Sequence, residues 1–149
     1  MSHQAAQNIP EGFHTITPYL INENVRDVIA FLQHVFDAEV KSLTPHPEYS
    51  DKVMNAEVRI GNSMIMMADT REDVPLFPAI LYVYVDDVDA AYARALEKGA
   101  ESLMEPTDMF YGDRNAGVRD ATGNQWWIAT HQEDLTEEEM QRRLQEQKV

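Results

Sequence analysis

The sequence predicts an α+β fold in which two βαβββ modules form a curved, cup-shaped mixed sheet with helices on its outer side. The order strand, helix, strand and hairpin occurs twice, and placing Val25 on Val88, the two predicted helix starts, superposes the copies with an offset of 63 residues. A Gly-Asn hairpin turn at residues 61–62 corresponds to a second one at 123–124. We therefore predict a single domain over residues 13–132.

The first module, at about residues 13–69, follows a polar and aperiodic segment, residues 1–12, which we interpret as a flexible leader. Alternating aromatic and β-branched residues predict a strand over 13–22, and Asn24 is a suitable N-cap for the helix that follows. The apolar positions of this helix recur at three- and four-residue spacing and are Val25, Val28, Ile29, Leu32, Val35 and Phe36. The remaining strands are predicted at residues 38–43, 53–60 and 63–68.

The second module, at about residues 79–131, repeats this plan after a linker. An apolar strand is predicted over 79–85, Asp87 is the expected N-cap of the next helix, and Gly99 is its expected left-handed stop. The apolar positions of this helix are Val88, Ala91, Tyr92, Ala95 and Leu96.

The last strand of the second module, residues 125–131, reads QWWIATH and carries bulky side chains on both faces. Alternation places one set of side chains on one face (Trp127, Ala129 and His131) and a second set on the other (Trp126, Ile128 and Thr130). A strand that is buried on both sides and yet ends in a histidine indicates a curved sheet with helices outside and a ligand cup inside.

The C-terminal segment, residues 133–149, is predicted to form a helix. Thr136 and Glu139 have the spacing of a capping box, and Met140 and Leu144 form a short apolar stripe. So short a stripe needs a partner, which is either the chain's own sheet or a second subunit. Because two such modules leave strand edges and apolar surface uncovered, we predict a homodimer.

Composition limits the functional classes. The chain has 149 residues, enough for one full core, and contains no cysteine, so disulfides and thiolate chemistry are excluded. Its net charge of −14 argues against nucleic-acid binding. Since neither a long apolar run nor a signal sequence is evident, no membrane association is predicted and the expected location is the cytoplasm.

Three segments of the second module carry a resemblance to a known family: Tyr111-Gly112-Asp113-Arg114, the D-x-x-G-N turn at residues 120–124, and the strand WWIATH. Together they resemble the vicinal oxygen chelate superfamily, which has the glyoxalase/bleomycin-resistance fold, and specifically its PhnB-like branch. The resemblance implies the duplicated βαβββ architecture that the internal repeat predicts independently.

The resemblance also implies where a metal would bind. Metal-dependent members take one ligand from the first strand and one from the last strand of each module, and here those positions are Thr17, Ile80, Trp127 and either Ile65 or Met66. None of these side chains is a usual transition-metal ligand. We therefore predict no bound metal. A phosphate-binding glycine loop is also absent from the sequence, so no other cofactor is predicted. A different metal site could use His14, Glu57 or His131.

The same positions predict a small-molecule pocket with aromatic and apolar walls. The candidate ligand-binding residues are Thr17, Tyr19, Met66, Ile80, Tyr82, Tyr84, Arg114, Trp127 and His131. Arg114 could anchor an anionic or carbonyl group, or could instead pair with a neighbouring carboxylate such as Asp113. Aromatic residues and methionines that alternate along strands are about as often ordinary core as pocket.

The function that these observations predict is binding of a small organic molecule, with no catalytic residue assigned and the ligand unknown. One alternative is a divalent-metal-dependent lyase or dioxygenase of the glyoxalase type, in which the ion polarises two neighbouring substrate oxygens. A second alternative is an interaction module with a filled core, which would have no open cup.

Overall fold

The computed structural model describes residues 6–147 and divides the chain into two units, with the boundary between Pro78 and Ala79. Each unit contains one βαβββ module. The first five residues of the predicted leader and the last two of the predicted C-terminal helix lie outside the described residues. The predicted α+β class and the duplicated architecture are confirmed.

The first unit is a four-stranded mixed sheet with one helix. Its sheet order is β1-β4-β3-β2, in which β1 runs parallel to β4 and the other pairs are antiparallel. Its elements are β1 (Tyr19–Asn22), α1 (Val25–Phe36), β2 (Glu39–Pro45), β3 (Val53–Ile60) and β4 (Ser63–Asp69).

The second unit has the same topology, with sheet order β5-β8-β7-β6 and β5 parallel to β8. Its elements are β5 (Ile80–Tyr84), α2 (Val88–Glu97), β6 (Glu101–Asp108), β7 (Asp113–Arg119), β8 (Gln125–His131) and α3 (Glu137–Gln147). The helix starts at Val25 and Val88 agree with the predicted repeat. Gly99 has a φ of +86°, which confirms the predicted left-handed stop after α2.

Two predicted strand boundaries are wrong. The first strand begins at Tyr19 rather than at residue 13, and Pro18, which has no N–H, joins the sheet through its carbonyl oxygen, 2.9 Å from the amide of Met66. Strand β2 continues to Pro45, beyond its predicted end, because it is an edge strand whose outer side needs no donor.

The start of α1 differs from the prediction that Asn24 caps it. Asn24 has a left-handed φ of 56° and its side chain makes no capping hydrogen bond within the described residues. Asp69, at the end of β4, takes that role: Oδ1 accepts from the amide of Val25 at 3.0 Å and Oδ2 from that of Val53 at 2.7 Å. A carboxylate from a distant strand therefore fixes the helix start.

The start of α2 confirms the predicted cap. Asp87 Oδ1 accepts from the amide of Ala90 at 3.1 Å, and the hydroxyl of Thr130, near the end of β8, accepts from the amide of Val88 at 3.1 Å. In both units the last strand thus ends beside the first turn of the helix. This arrangement leaves the opposite sheet face free of the helix.

Helix α3 carries the predicted capping contact, since Thr136 Oγ1 accepts from the amide of Glu139 at 3.2 Å. None of its described side chains is buried, and Leu144 keeps 37% of its surface exposed. Within residues 6–147, no helix has the length and apolar character needed to cross a membrane.

Candidate functional site

One face of the second sheet carries a cluster of aromatic, acidic and histidine side chains. Strand alternation and register place Tyr82 on β5 beside Trp127 on β8, and His131 on β8 beside Asp113 on β7. Side chains of the opposite face, such as the fully buried Trp126, lie on the side of α2. We call the face that carries Tyr82 and Asp113 the tyrosine face. It is defined by Tyr82, Tyr84, Tyr111, Asp113, Asn115, Trp127 and His131.

The buried carboxylate of Asp113 is the centre of the tyrosine face. It is 3% exposed, and its Oδ2 accepts hydrogen bonds from the hydroxyls of Tyr82 at 2.7 Å and Tyr84 at 3.2 Å. Its Oδ1 lies 2.6 Å from Nδ1 of His131. Burial alone would raise the pKa of Asp113, but the bonds from His131, Tyr82 and Tyr84 outweigh it and hold that pKa below its ordinary value. Asp113 is therefore an ionised, three-fold acceptor.

His131 lies between two carboxylates. While Nδ1 bonds to Asp113, Nε2 lies 2.7 Å from Oδ1 of Asp134 in the segment after β8. The bonds to Asp113 and then Asp134 raise the pKa of His131 above its ordinary value, which favours the imidazolium form. About half of the His131 side chain remains exposed, so the imidazole is at the surface of the site.

A row of hydroxyls extends from Asp113 to Asn115. Because Tyr82 donates to Asp113, the hydroxyl of Tyr111, 3.3 Å away, must donate to that of Tyr82. Tyr111 in turn accepts from Nδ2 of Asn115 at 3.1 Å. Burial, and then the bonds to Tyr111 and Asp113, raise the pKa of Tyr82, so that its hydroxyl stays neutral and donates.

This donor order leaves the other amide atom of Asn115 unsatisfied. Nδ2 faces Tyr111, and Oδ1 is buried without a hydrogen-bond partner among residues 6–147. An unmade bond at a buried acceptor costs about 1–3 kcal/mol. Such a group needs an explanation, and a functional role is one of the usual ones.

Aromatic surface surrounds these polar groups. The rings of Tyr82 and Tyr84 have centroids 5.3 Å apart, and the two residues remain 42% and 63% exposed. Trp127 lies against Gly117, where an added Cβ would be 2.6 Å from the indole ring, and its Nε1 donates to Gln125 at 3.1 Å. The absence of a side chain at Gly117 therefore sets the position of Trp127.

Residues 12–128 match the sequence model of the Glyoxalase/Bleomycin resistance protein/Dioxygenase superfamily. The chain belongs to this superfamily. The prediction made from the motif of the second module is thus confirmed at this level.

Among similar proteins, an uncharacterized protein of Mycobacterium bovis is 27% identical over 146 residues, which cover 89% of this chain and 93% of that protein. The superfamily fold is also evident in solved structures. TioX from Micromonospora sp. ML1 has a TM-score of 0.65 at 22% identity, covering 79% of this chain and 98% of its own. The PhnB protein of Bacillus cereus has a TM-score of 0.63 at 18% identity, with 78% and 99% covered.

Of the candidate residues predicted from sequence, the structure brings Tyr82, Tyr84, Trp127 and His131 together on the tyrosine face. Ile80 begins the same strand and points to the same side, with 69% of its surface exposed.

Arg114, in contrast, lies on the helix side of β7. Its Nε and Nη2 bond to the two carboxylate oxygens of Asp89 at 2.8 and 2.9 Å, and its Nη1 lies 3.2 Å from Asp108. These contacts tie α2 to β7 and leave Arg114 on the face opposite Asp113.

The remaining candidates belong to the first unit. Tyr19 pairs with Met66 in the register that Tyr82 shares with Trp127, which makes Met66, not Ile65, the counterpart of Trp127. Thr17 precedes β1 and is half-buried. The hydroxyl of Tyr19 accepts from Asn55 Nδ2 at 3.3 Å.

Sequence reasoning did not assign a site role to Tyr111, Asp113 or Asn115. The first two are in the YGDR segment that carries the family resemblance, so a signal was present. Alternation also places Asp113 and Asn115 on the face opposite Arg114, but their burial depends on the register of β5, β8 and β7, which the sequence does not specify.

The residues present do not fit the metal centre of metal-dependent superfamily members. Within the part of the chain that the structure describes, no group of three or more His, Asp or Glu side chains is arranged to hold an ion. Both ring nitrogens of His131 bond to carboxylates.

Proposed function

We propose that this protein binds a small organic molecule on the tyrosine face, through hydrogen bonds and aromatic contacts and without the superfamily's usual metal centre. The observation that carries the proposal is the buried, unpartnered Oδ1 of Asn115. Because this oxygen has almost no exposed surface, a ligand hydroxyl, amide or amine reaches it only when neighbouring side chains move aside. Such a ligand group would then satisfy the oxygen and recover the cost of the unmade bond. The unsatisfied oxygen at the end of the row of hydroxyls therefore favours binding of a ligand with a hydrogen-bond donor on the tyrosine face.

The aromatic residues support the same proposal. Tyr82 and Tyr84 are both bonded at their hydroxyls, which fixes the two rings, yet much of each side chain is exposed. Fixed aromatic rings lose little conformational entropy when they pack against a ligand. The YGDR segment and the similarity in fold to the Bacillus cereus PhnB protein support placing the chain in the PhnB-like branch.

Fluorescence quenching by small aromatic compounds tests the proposal. Compounds that quench wild-type tryptophan fluorescence should lose most of this effect in Trp127→Phe, because Trp127 is on the tyrosine face. Trp126→Phe is the matched control and should retain the quenching, since Trp126 is fully buried on the other side of the sheet. Equal quenching in the wild type and in Trp127→Phe would contradict the proposed surface.

A second variant tests the carrying observation directly. Asn115→Ala should lower the affinity for a ligand identified in this way by roughly five- to tenfold, the effect of losing one or two ordinary hydrogen bonds.

Elemental analysis tests the absence of a metal, and we expect less than a stoichiometric amount of Zn, Ni, Fe or Mn. One tightly held ion per chain, lost on substitution of His14, Glu57 or His131, would instead favour a metal-dependent lyase or dioxygenase.

A further inference from the structure

The two carboxylates on His131 differ sharply in their surroundings. Asp113, on the Nδ1 side, is buried and also takes two tyrosine hydroxyls, so it is fixed in place. Asp134, on the Nε2 side, has a side chain that is wholly exposed, and it lies in the segment that joins β8 to α3. Asp113 is thus part of the core of the site, whereas the carboxylate of Asp134 contacts the site through Nε2 of His131, at 2.7 Å.

We propose that the position on Nε2 of His131 that Asp134 fills is the binding position for the carboxylate of an aromatic acid, and that Asp134 is its internal competitor. This proposal rests on the proposed function and names the ligand class for the same face. An incoming carboxylate exchanges with a carboxylate of the same chemistry, so His131 keeps a charged hydrogen bond throughout. The contact that is given up is an exposed ion pair, which water and salt screen strongly.

The aromatic requirement follows from the neighbours of His131. The hydroxyl of Tyr84 and Nδ1 of His131 bond to the two oxygens of one carboxylate, that of Asp113. Tyr84 also pairs with Ala129, two residues before His131 on the same face of β8, so its exposed ring is a diagonal neighbour of the imidazole and an aromatic ligand can pack on it. A ligand with both groups gains ring contact that Asp134 cannot provide.

Charge sets the pH range of this exchange. Among residues 6–147, the charged groups that bond to His131 are Asp113 on β7 and Asp134 in the following segment, while Tyr82 and Tyr84 on β5 bond to Asp113 as neutral hydroxyls. The exchange needs an ionised ligand acid and an imidazolium, so binding is expected between the pKa of the ligand acid and the raised pKa of His131, and it is lost as His131 deprotonates. The net charge of −14 works against every anion, which makes wild-type affinity weak.

The test uses benzoate as the probe and benzamide as its neutral counterpart, followed through the imidazole nitrogen resonances of His131 in the full chain. Asp134→Asn should bind benzoate at least fivefold more tightly than the wild type at pH 6.5, with benzamide affinity changed less than twofold. Glu138→Gln removes an exposed carboxylate from the nearby helix α3 and is the matched control. It should leave benzoate affinity within twofold of the wild type.

Three outcomes would overturn the inference. In the first, Asp134→Asn melts at a lower temperature and gains no benzoate affinity, which would make the contact a structural tether. In the second, Glu138→Gln gains as much as Asp134→Asn, so that general charge explains the effect. In the third, His131→Gln keeps the preference for benzoate over benzamide. If benzamide still binds on the tyrosine face in these cases, the proposed function survives. If neither probe binds any variant, this inference fails, and the proposed function fails as well only if quenching is equal in the wild type and in Trp127→Phe.

Discussion

The hydroxyl of Tyr82 donates a 2.7 Å hydrogen bond to Asp113 across strand β8, which lies between their two strands. This bond joins the edge strand β5 to the interior strand β7 through side chains, in addition to the backbone ladders. The stability of the second unit should therefore depend on a polar group that has no role in the apolar core.

Asp113→Asn should lower the free energy of unfolding by about 2–3 kcal/mol, because the substitution removes the charge that three donors stabilise. Urea denaturation measures the change. Glu72→Gln, which removes an exposed carboxylate from the first unit, should change stability by less than about 0.5 kcal/mol. If the Asp113→Asn protein is as stable as the wild type, the bonds to Asp113 make no net contribution to the free energy of unfolding.

The pH dependence of stability should have two limbs. The pKa of His131 is raised, so its contribution is complete below its ordinary pKa of 6.5 and is lost as pH rises through the folded-state value. The pKa of Asp113 is lowered, so its contribution is complete above its ordinary pKa of 3.8 and is lost as pH falls through the folded-state value. The stability difference between the wild type and His131→Gln should thus be largest between these pH values.

Nuclear magnetic resonance titration checks the cause. The pKa of His131 should move down toward 6.5 in Asp113→Asn and, by a smaller amount, in Asp134→Asn, in the order of the two hydrogen bonds that raise it. An unchanged titration in both variants would show that the two carboxylates do not hold the imidazolium in solution.

Gly117→Ala should destabilise the protein by about 1–3 kcal/mol, since the new Cβ would be 2.6 Å from the ring of Trp127. The ring should also become more accessible to acrylamide quenching when it is displaced. In a Trp127→Ala background the same substitution should cost far less, which a double-mutant cycle measures. Equal costs in both backgrounds would place the strain elsewhere than at Trp127.

The predicted homodimer can be tested through the C-terminal helix. Leu144 is exposed on α3, and Met140 is only partly covered. Deletion of residues 135–149 should shift the protein toward monomer in light scattering at low micromolar concentration if α3 is at the two-fold interface. A truncated protein that stays dimeric but melts at a lower temperature would assign α3 to its own chain, and a monomeric wild type would refute the dimer.

Local signals in the sequence predict the repeated architecture well, because Gly-Asn turns, helix stripes and the cap at Asp87 involve residues close together in the chain. They fail at Asn24, because the group that caps α1 is Asp69, 44 residues from the amide of Val25 that it accepts from. Local signals also do not identify Asp113, the centre of the site, for the same reason. Asp113 is next to Arg114 in sequence, but its actual donors come from β5 and β8, so only the strand register identifies it.

The register also shows how the two modules have diverged. Val53 on β3 occupies the position of Asp113 on β7, while Asn55 and Asn115 occupy a second matching pair and each donate to a tyrosine hydroxyl. A carboxylate at the position of Val53 would be buried without the donors that β5 and β8 provide, and it would cost several kcal/mol. The second module accommodates a buried aspartate at this position because Tyr82, Tyr84 and His131 bond to it. The two modules therefore share one topology while one buries an apolar side chain and the other a charged side chain at the same position.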